Sequence, residues 1–405
     1  MIKNLKHNLG YGLPPVCIIN DEEIKESFKH ALDREMDNKK NRILNYGNIC
    51  GDPDVLKDLS NWYTKKINAK VNPDNILLTN GSGSGLVITA NALLKSGDNI
   101  LFECPTYFLA ANMYLDLGIN LIPIKRQENG SFDFDEMEDK IKKHNIKAFY
   151  VVVPYHNPTG FNLKEKDRNI IYELANKYKF YVFSDDIYEL LYYKEEGRQT
   201  PMYYCNSDIV NEKDSKSKRE KLMNYDNNAS PYIISINSFN KAVAPTFKFG
   251  FIQAHTDIIK KITFSGCFYV SLGVKSITEH MVRSYMELGY LDDSLKRHQD
   301  YIKTNLDIAV DLLKKCDLLS FDPPEGGYFM FVKLSDKVNI DMLNNKREEY
   351  ELNFMDGYGF IPKSLQHEFP EFKSTIRLSV SFLTKDTIGD GIKAFISLVE
   401  ECAKK

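Results

Sequence analysis

The sequence lacks the patterns that are typical of metal-binding, secreted and membrane-spanning proteins. Its seven cysteines are scattered, and no two of them form a Cys-x-x-Cys pair, which argues against a zinc ribbon or a thioredoxin-type site. No uninterrupted apolar run is long enough to cross a bilayer, and the first residues contain no apolar stretch of signal-peptide length. We therefore expect a cytoplasmic protein with reduced thiols, no membrane contact and no bound metal.

The chain also lacks an excess of charge of either sign. It has 53 Lys+Arg against 56 Asp+Glu and a formal net charge of −3, which gives no electrostatic reason to expect a nucleic acid as partner. With 405 residues, 43% of them hydrophobic, it can bury a large core and divide into two domains, or three. We expect a large domain over 51–276 and a smaller one formed by 1–50 and 277–405.

The apolar pattern of the first two thirds of the chain predicts an α/β fold. A helical pattern follows Asp52-Pro53, which is a helix start signal. Short continuous apolar runs then alternate with helical segments, which indicates a mostly parallel sheet of the seven-stranded type, covered on both faces. The predicted strands are 76–78, 99–102, 148–153, 180–183 and 232–236. After residue 276 the pattern changes to an α+β region, with strands expected at 328–334 and 376–381.

Two segments are expected to be irregular. The stretch 81–85, Gly-Ser-Gly-Ser-Gly, is predicted to be a loop between a strand and a helix. The stretch 211–221 is strongly polar and has no periodicity, so we expect a solvated, mobile excursion. A lid over a functional site is the alternative for this second stretch.

Four motifs follow predicted strands, where parallel sheets bind their ligands. The first, 80–86, is either a flexible turn or a phosphate site at a helix N-terminus. It is not a Walker A loop, because no Gly-Lys-Ser/Thr closes it. It is not a Gly-x-Gly-x-x-Gly loop either, because Leu86 stands at the third glycine position.

The other three motifs each have a structural alternative as well. Asn157-Pro-Thr-Gly is either part of a site or a plain turn. Asp185, followed by Tyr188, is either a functional carboxylate or a helix cap. Lys241, in Ser-Phe-Asn-Lys, is either a Schiff-base nucleophile or a solvated surface charge. The companions that a Ser-x-x-Lys acyl-enzyme requires do not occur.

Taken together and in this order, the motifs resemble the class I/II aminotransferases of the fold-type I pyridoxal-phosphate (PLP) enzymes. The branch with kynurenine and 2-aminoadipate aminotransferases is the most similar, and the resemblance runs from Gly12 to Arg377. It implies an aminotransferase that moves the amino group of an L-amino acid to a 2-oxo acid, with pyridoxal 5'-phosphate as cofactor.

The resemblance also implies a role for each residue around the cofactor ring. Lys241 would form the Schiff base and move the α-proton, and Asp185 would pair with the protonated ring nitrogen. Asn157 and Tyr188 would donate to the phenolic oxygen of the ring. Tyr107 would stack on the face of the ring.

Further roles concern the phosphate and the substrate. Arg377 would hold the substrate carboxylate through its planar fork, with help from Asn157 and from the backbone N–H of Gly12. Tyr46 would reach the phosphate of a neighbouring subunit, which implies a homodimer with active sites at the interface. The implied phosphate contacts within the chain are Ser82, Gly83 and Ser238.

Two positions depart from the family pattern. Lys248 stands where the family has an arginine that grips the phosphate, so we expect weaker phosphate binding but not its loss. Asp356-Gly357 replaces a usual Pro-Gly near the substrate entrance, which leaves the identity of the substrate open.

Two other functions fit the same sequence. A PLP-dependent lyase, decarboxylase or synthase would keep most of these residues, because the cofactor supplies the chemistry. A non-catalytic descendant would fit Lys248 and Asp356. A regulator of the fused type would need a DNA-binding module, for which we expect no room before Tyr46.

Overall fold

The computed structural model describes residues 5–37, 42–194, 198–225, 229–266, 268 and 275–403. Its centre is a seven-stranded sheet in the order β2-β8-β7-β6-β5-β3-β4. Neighbouring strands are parallel except for β8, which runs antiparallel to both β2 and β7. These strands are β2 (Ile76–Thr79), β3 (Asn99–Cys104), β4 (Asn120–Lys125), β5 (Ile146–Val151), β6 (Tyr181–Asp185), β7 (Ile233–Ser238) and β8 (Gly250–Gln253). The predicted α/β class and the mostly parallel sheet are confirmed.

A second, smaller sheet has four strands in the order β12-β13-β10-β9, all antiparallel. They are β9 (Leu319–Ser320), β10 (Phe329–Leu334), β12 (Met355–Asp356) and β13 (Thr375–Ser379). A short strand near the N-terminus, β1 (His7–Asn8), pairs in parallel with β11 (Leu352–Asn353). The two ends of the chain therefore meet beside the smaller sheet.

Thirteen α-helices lie in the described part of the chain. Their ranges are α1 (Asp21–Asp37), α2 (Pro53–Ile67), α3 (Gly81–Leu93), α4 (Phe108–Asp116), α5 (Phe134–His144), α6 (Glu165–Tyr178), α7 (Ser207–Val210), α8 (Ser215–Met223), α9 (Thr256–Thr263), α10 (Ser276–Glu287), α11 (Tyr290–Leu313), α12 (Ile340–Lys346) and α13 (Ile388–Glu401). As the sequence predicts, Asp52 caps α2, and its side chain accepts from the backbone N–H groups of Asp54 and Val55. None of these helices has the length and apolar character needed to cross a bilayer.

The expectation of a loop at 81–85 is wrong, because α3 begins at Gly81. Glycine and serine are weak helix formers, but packing against the sheet holds this helix, with Leu86, Ile88 and Ala90 buried. A Cβ at Gly85 would lie 2.9 Å from Cγ2 of Ile236 in β7. The glycine therefore allows α3 to pack closely against the sheet.

The polar stretch 211–221 also differs from its expectation. Most of it belongs to α8, which Asp214 caps by accepting from the backbone N–H of Ser217. Lys218 pairs with Glu165 of α6 at 2.5 Å, and Leu222 is buried. One buried residue and one ion pair hold this helix in place. The strongly polar composition of the stretch does not reveal these two contacts.

Candidate active site

The strand register brings the predicted motifs to one edge of the large sheet. Gly250 of β8 pairs with Thr79 of β2 on one side and with Ser238 of β7 on the other. Asp185 at the end of β6 pairs with Ile236 of β7. The segments after β2, β6 and β7 therefore open into a common crevice.

Lys241 lies three residues beyond the end of β7. Its Nζ donates to the carbonyl oxygen of Gly12 at 2.6 Å and lies 5.4 Å from the ring centre of Tyr328. Burial, together with the positive charge of Arg377, lowers the pKa of the Lys241 amine to about 8. An amine with this pKa is partly neutral near physiological pH, which a nucleophile requires.

Asp185 is 2% exposed, and its two oxygens differ in their contacts. Oδ2 accepts from the hydroxyl of Tyr150 at 2.8 Å, whereas Oδ1 is buried without a hydrogen-bond partner among the described residues. Burial raises the pKa of this carboxyl to about 7. A buried oxygen without a partner is costly, so this atom suits a ligand with an N–H group.

Two tyrosines line the same crevice. Tyr188 is 2% exposed and contacts the rings of Tyr328 and Phe329, with centroids 5.4 and 5.8 Å away. Tyr107 precedes α4, and burial raises its pKa to about 12. Burial also raises the pKa of Tyr188. Both hydroxyls are therefore neutral donors at physiological pH.

Arg377 on β13 is the buried cation of the crevice, with 3% exposure. Its guanidinium lies between the rings of Phe329 and Phe360, 4.1 and 4.8 Å from their centres. Nη1 donates to Oδ1 of Asn157 at 2.9 Å, and Nη2 donates to the carbonyl oxygen of Gly10. Nε is buried and has no partner among the described residues. Burial lowers the pKa of this guanidinium to about 10, and its charge remains available for an anion.

Gly12 brings the N-terminal segment against the crevice. Besides its contact with Lys241, a Cβ at this position would lie 2.4 Å from Cζ of Phe329. A larger residue would therefore push Phe329 away from Arg377, which shares that ring.

The N-terminus of α3 closes the other end of the crevice. The side chain of Asn80, which precedes the helix, makes no capping hydrogen bond, so the first N–H groups of the helix can bind an anion. Ser82 is half-buried, and Gly83 is exposed with open space around it. Ser238 is buried and accepts from the backbone N–H of Asn240 at 3.1 Å.

Lys248 lies beside this helix terminus. Its side chain is exposed, and its backbone has the left-handed conformation, with φ +46°. A Cβ at Gly81 would lie 3.6 Å from Cα of Lys248. The position is therefore close to the anion site, although a lysine lacks the planar fork that an arginine would offer there.

Tyr46 is not part of the crevice that this chain forms. It is fully exposed on the segment between Arg42 and Asp52. That segment is held at its base, because Arg42 pairs with Asp52 at 2.7 Å and with Asp54 at 2.9 Å. The exposed side chain of Tyr46 therefore lies on a segment whose base is held by ion pairs.

Asp356 lies on β12, next to a residue of the crevice. Its neighbour Met355 places Sδ 3.0 Å from Nη2 of Arg377. Burial raises the pKa of Asp356. A Cβ at Gly357 would lie 1.9 Å from Oγ1 of Thr375, so the backbone approaches β13 closely at this point.

Several contact residues were missed by the sequence analysis. Tyr150 lies within an apolar strand, and Phe329, Phe360 and Gly10 contact Arg377 from distant parts of the chain. The one available signal was the phenol of Tyr150 in an otherwise apolar run, because a buried hydroxyl needs a partner.

The groups of the crevice suit a ligand that carries a carbonyl, a ring nitrogen and a phosphate. Lys241 offers an amine, Asp185 a carboxylate oxygen without a partner, and α3 an uncapped N-terminus. The guanidinium of Arg377 remains for a second, carboxylate-bearing molecule.

Comparisons with known proteins identify the family of the chain. The family model described as aminotransferase class I and II matches residues 19–395. An uncharacterized aminotransferase of Saccharolobus solfataricus is 26% identical over 95% of this chain and 89% of its own. Aromatic-amino-acid aminotransferase 1 of Thermococcus litoralis is 24% identical over 98% and 89%. The crystal structure of a multiple substrate aminotransferase from Thermococcus profundus superposes with a TM-score of 0.81, at 23% identity over 99% and 92% of the two chains.

Proposed function

The chain belongs to the class I and II aminotransferases, which use PLP to move an amino group from an amino acid to a 2-oxo acid, and we propose how its own residues divide this work. The observation that carries the proposal is the position of the Lys241 amine. It lies in a crevice shared with Asp185 and Arg377, and its pKa is lowered to about 8. When bound, PLP supplies an electron sink that stabilises negative charge at the substrate Cα.

Five parts of the cofactor would each be held by residues of the crevice. Lys241 would bind its aldehyde carbon, and Oδ1 of Asp185 would accept from its ring nitrogen. The N-terminus of α3, with Ser82 and Gly83, would bind its phosphate together with Ser238 and Lys248. Asn157 and Tyr188 would donate to its phenolic oxygen, while Tyr107 would cover its face. The unpartnered Oδ1 and the uncapped helix support this assignment.

Arg377 would orient the amino acid. Its Nη1 and Nη2 are held by Asn157 and Gly10, and the two flanking rings restrict its rotation. A carboxylate bound there is fixed in position relative to Lys241, with help from the backbone N–H of Gly12. The amine of the substrate would replace Lys241 on the aldehyde carbon, and the freed Nζ would then accept the proton from the substrate Cα.

We also propose that the active form is a homodimer. Tyr46 is fully exposed, and Leu44 and Ile49 on the same segment are 73% and 47% exposed. A second copy of the chain would cover these apolar side chains and would receive Tyr46 at its phosphate site. The domain division at residues 50 and 276 remains a proposal, supported by the pairing of β1 with β11.

A reducing compartment such as the cytoplasm is part of the same proposal. Six cysteines of the described part of the chain are unpaired thiols, and Cys267 lies outside the described residues. A reducing environment keeps such thiols free. Fractionation of cells that produce the protein would test the compartment.

The experiment that tests the function is the substitution Lys241→Ala. We expect the purified variant to lose the visible absorption of PLP-loaded wild type and to lose transamination by about a thousandfold or more. The measurement is the absorption spectrum before and after single L-amino acids, followed by 2-oxo acids.

Lys261→Ala is the matched control, since Lys261 is exposed on α9. It should keep both the colour and the activity. A Lys241→Ala protein that retained wild-type colour and turnover would refute the assignment of the nucleophile.

A further inference from the structure

The two oxygens of Asp185 are treated differently by the fold. Oδ2 receives a hydrogen bond from the Tyr150 hydroxyl at 2.8 Å, and Oδ1 has no partner among the described residues. The carboxyl group is buried, and it takes part in none of the ion pairs between described residues. The phenol is therefore the side chain that fixes this carboxylate before any ligand binds.

Tyr150 is itself held rigidly. It lies in β5, where it pairs with Phe183 of β6, and it is completely buried. Its ring packs against that of Tyr114 in an edge-to-face contact, with centroids 5.6 Å apart. The hydroxyl thus has little freedom to leave Oδ2.

We propose that Tyr150 is a positioning residue, which keeps Asp185 ionised and leaves Oδ1 available to the ring nitrogen of PLP. The inference rests on the proposed role of Asp185 in holding that nitrogen. A hydrogen bond from a neutral donor favours the charged form of a carboxylate, and burial opposes it. Without the phenol, the backbone N–H of Ile187 would be the hydrogen-bond donor left to the carboxylate among the described residues.

The electrostatic surroundings make this support necessary. Burial raises the pKa of Asp185, and Asp186 and Glu103 raise it further, whereas the Tyr150 hydroxyl and the backbone N–H of Ile187 lower it. The titratable groups that face Asp185 are Glu103 in β3, Tyr107 and Tyr114 at α4, Tyr150 in β5, Asp186 and Tyr188 after β6, and Lys241 after β7. Removing the phenol therefore shifts Asp185 towards its neutral form at pH 7.

The test is Tyr150→Phe in the PLP-loaded full-length protein. The readout is the ¹⁵N chemical shift of PLP labelled at its ring nitrogen, which reports protonation of that atom, recorded between pH 6 and 9. We expect the apparent pKa of the ring nitrogen to fall by at least about one unit, because a hydrogen bond to a charged group contributes that much. The kcat should fall by about tenfold or more, while KM stays within about twofold.

Tyr114→Phe is the matched control. Tyr114 is equally buried, and its hydroxyl has no hydrogen-bond partner in the described structure. It should leave the nitrogen signal as in wild type. Equal shifts in both variants, or an unchanged signal in Tyr150→Phe, would overturn the proposal.

A second comparison separates positioning from general loss of packing. In the background Asp185→Asn, the change Tyr150→Phe should add little to the shift, because the phenol acts through Asp185. A full additional shift in that background would overturn the proposal. The NMR measurement is made without substrate, so a failure of transamination would leave its result unchanged, and melting temperatures confirm that each variant is folded.

Discussion

Lys248 is the residue at which this chain differs most visibly in how it would hold a phosphate. Its backbone lies next to Gly81 at the start of α3, and its side chain is exposed. The change Lys248→Arg would add a planar fork that can make two parallel hydrogen bonds to phosphate oxygens. We expect PLP to bind about fivefold more tightly, as measured by titration of the apoprotein with PLP.

Lys248→Gln is the companion variant for this prediction, because it keeps most of the length of the side chain but removes its charge. It should weaken PLP binding instead. Equal affinity in all three proteins would mean that position 248 does not reach the phosphate.

At the same scale, the sequence singles out the candidate residues that lie in motifs, but not the residues that contact and position them. Lys241, Asp185 and Arg377 could be found because each stands in a short local pattern. Tyr150 was missed, because its phenol in an apolar strand is a weak signal: such a tyrosine resembles an ordinary core residue until its hydroxyl is located beside Asp185. Contacts such as that of Gly10 with Arg377 join residues far apart in sequence, and local patterns do not record them.

Among the helices, α10 carries a buried carboxyl near its first turn. Glu279 is 1% exposed and accepts from the backbone N–H of Asp52 at 2.8 Å. Burial raises the pKa of Glu279 to about 7, although the hydrogen bond from the Asp52 backbone and the charge of Arg42 lower it; the Asp52 carboxylate adds to the rise. The folded chain therefore binds this proton more tightly than the unfolded chain does.

The sign of the resulting pH dependence follows from that difference. Between the ordinary carboxyl pKa and about 7, the free energy of unfolding should fall as the pH rises, because the folded state must release a proton that it holds. Glu279→Gln should remove this loss, so its stability relative to wild type should increase by on the order of 2 kcal/mol from pH 5 to pH 8. Urea unfolding at both pH values measures it, and parallel stability profiles would contradict the prediction.

Elements with strong apolar patterns were predicted, and elements with weak patterns were not. The inner strands β5, β6 and β7 are continuous apolar runs and were found within a few residues. The edge strand β4 contains Pro123 and is mostly half-buried or exposed, and the inner strand β8 is only four residues long and antiparallel to its neighbours; neither was predicted. The helical form of 81–85 was missed because its glycines favour a loop, whereas packing of α3 on β7 decides the outcome.

For the whole molecule, the decisive expectation is that one copy of the chain completes the site of another. Sedimentation equilibrium should give twice the 46.7 kDa mass of the chain. Tyr46→Phe should preserve the dimer and weaken PLP binding by about tenfold, since one hydrogen bond to a charged group is lost.

Mixed dimers provide the sharper version of this prediction. A dimer of one Lys241→Ala chain and one Tyr46→Phe chain would contain a site with both Lys241 and an intact tyrosine from its partner. We expect wild-type PLP affinity in half of the sites of such dimers. If Tyr46 served its own chain, no site would recover, and the interface role would be wrong.

The arrangement of the crevice also separates two kinds of change along the gene. Apart from Tyr46, the groups proposed for the cofactor come from one continuous stretch of sequence, between β2 and β8, whereas Gly10, Gly12 and Arg377 belong to the two outer segments. Exchange of those outer segments between relatives would change the groups that hold the substrate carboxylate while leaving the inner cofactor groups in place. Recombination in the outer segments can therefore change the residues that contact the substrate, while the catalytic residues of the inner stretch are inherited unchanged.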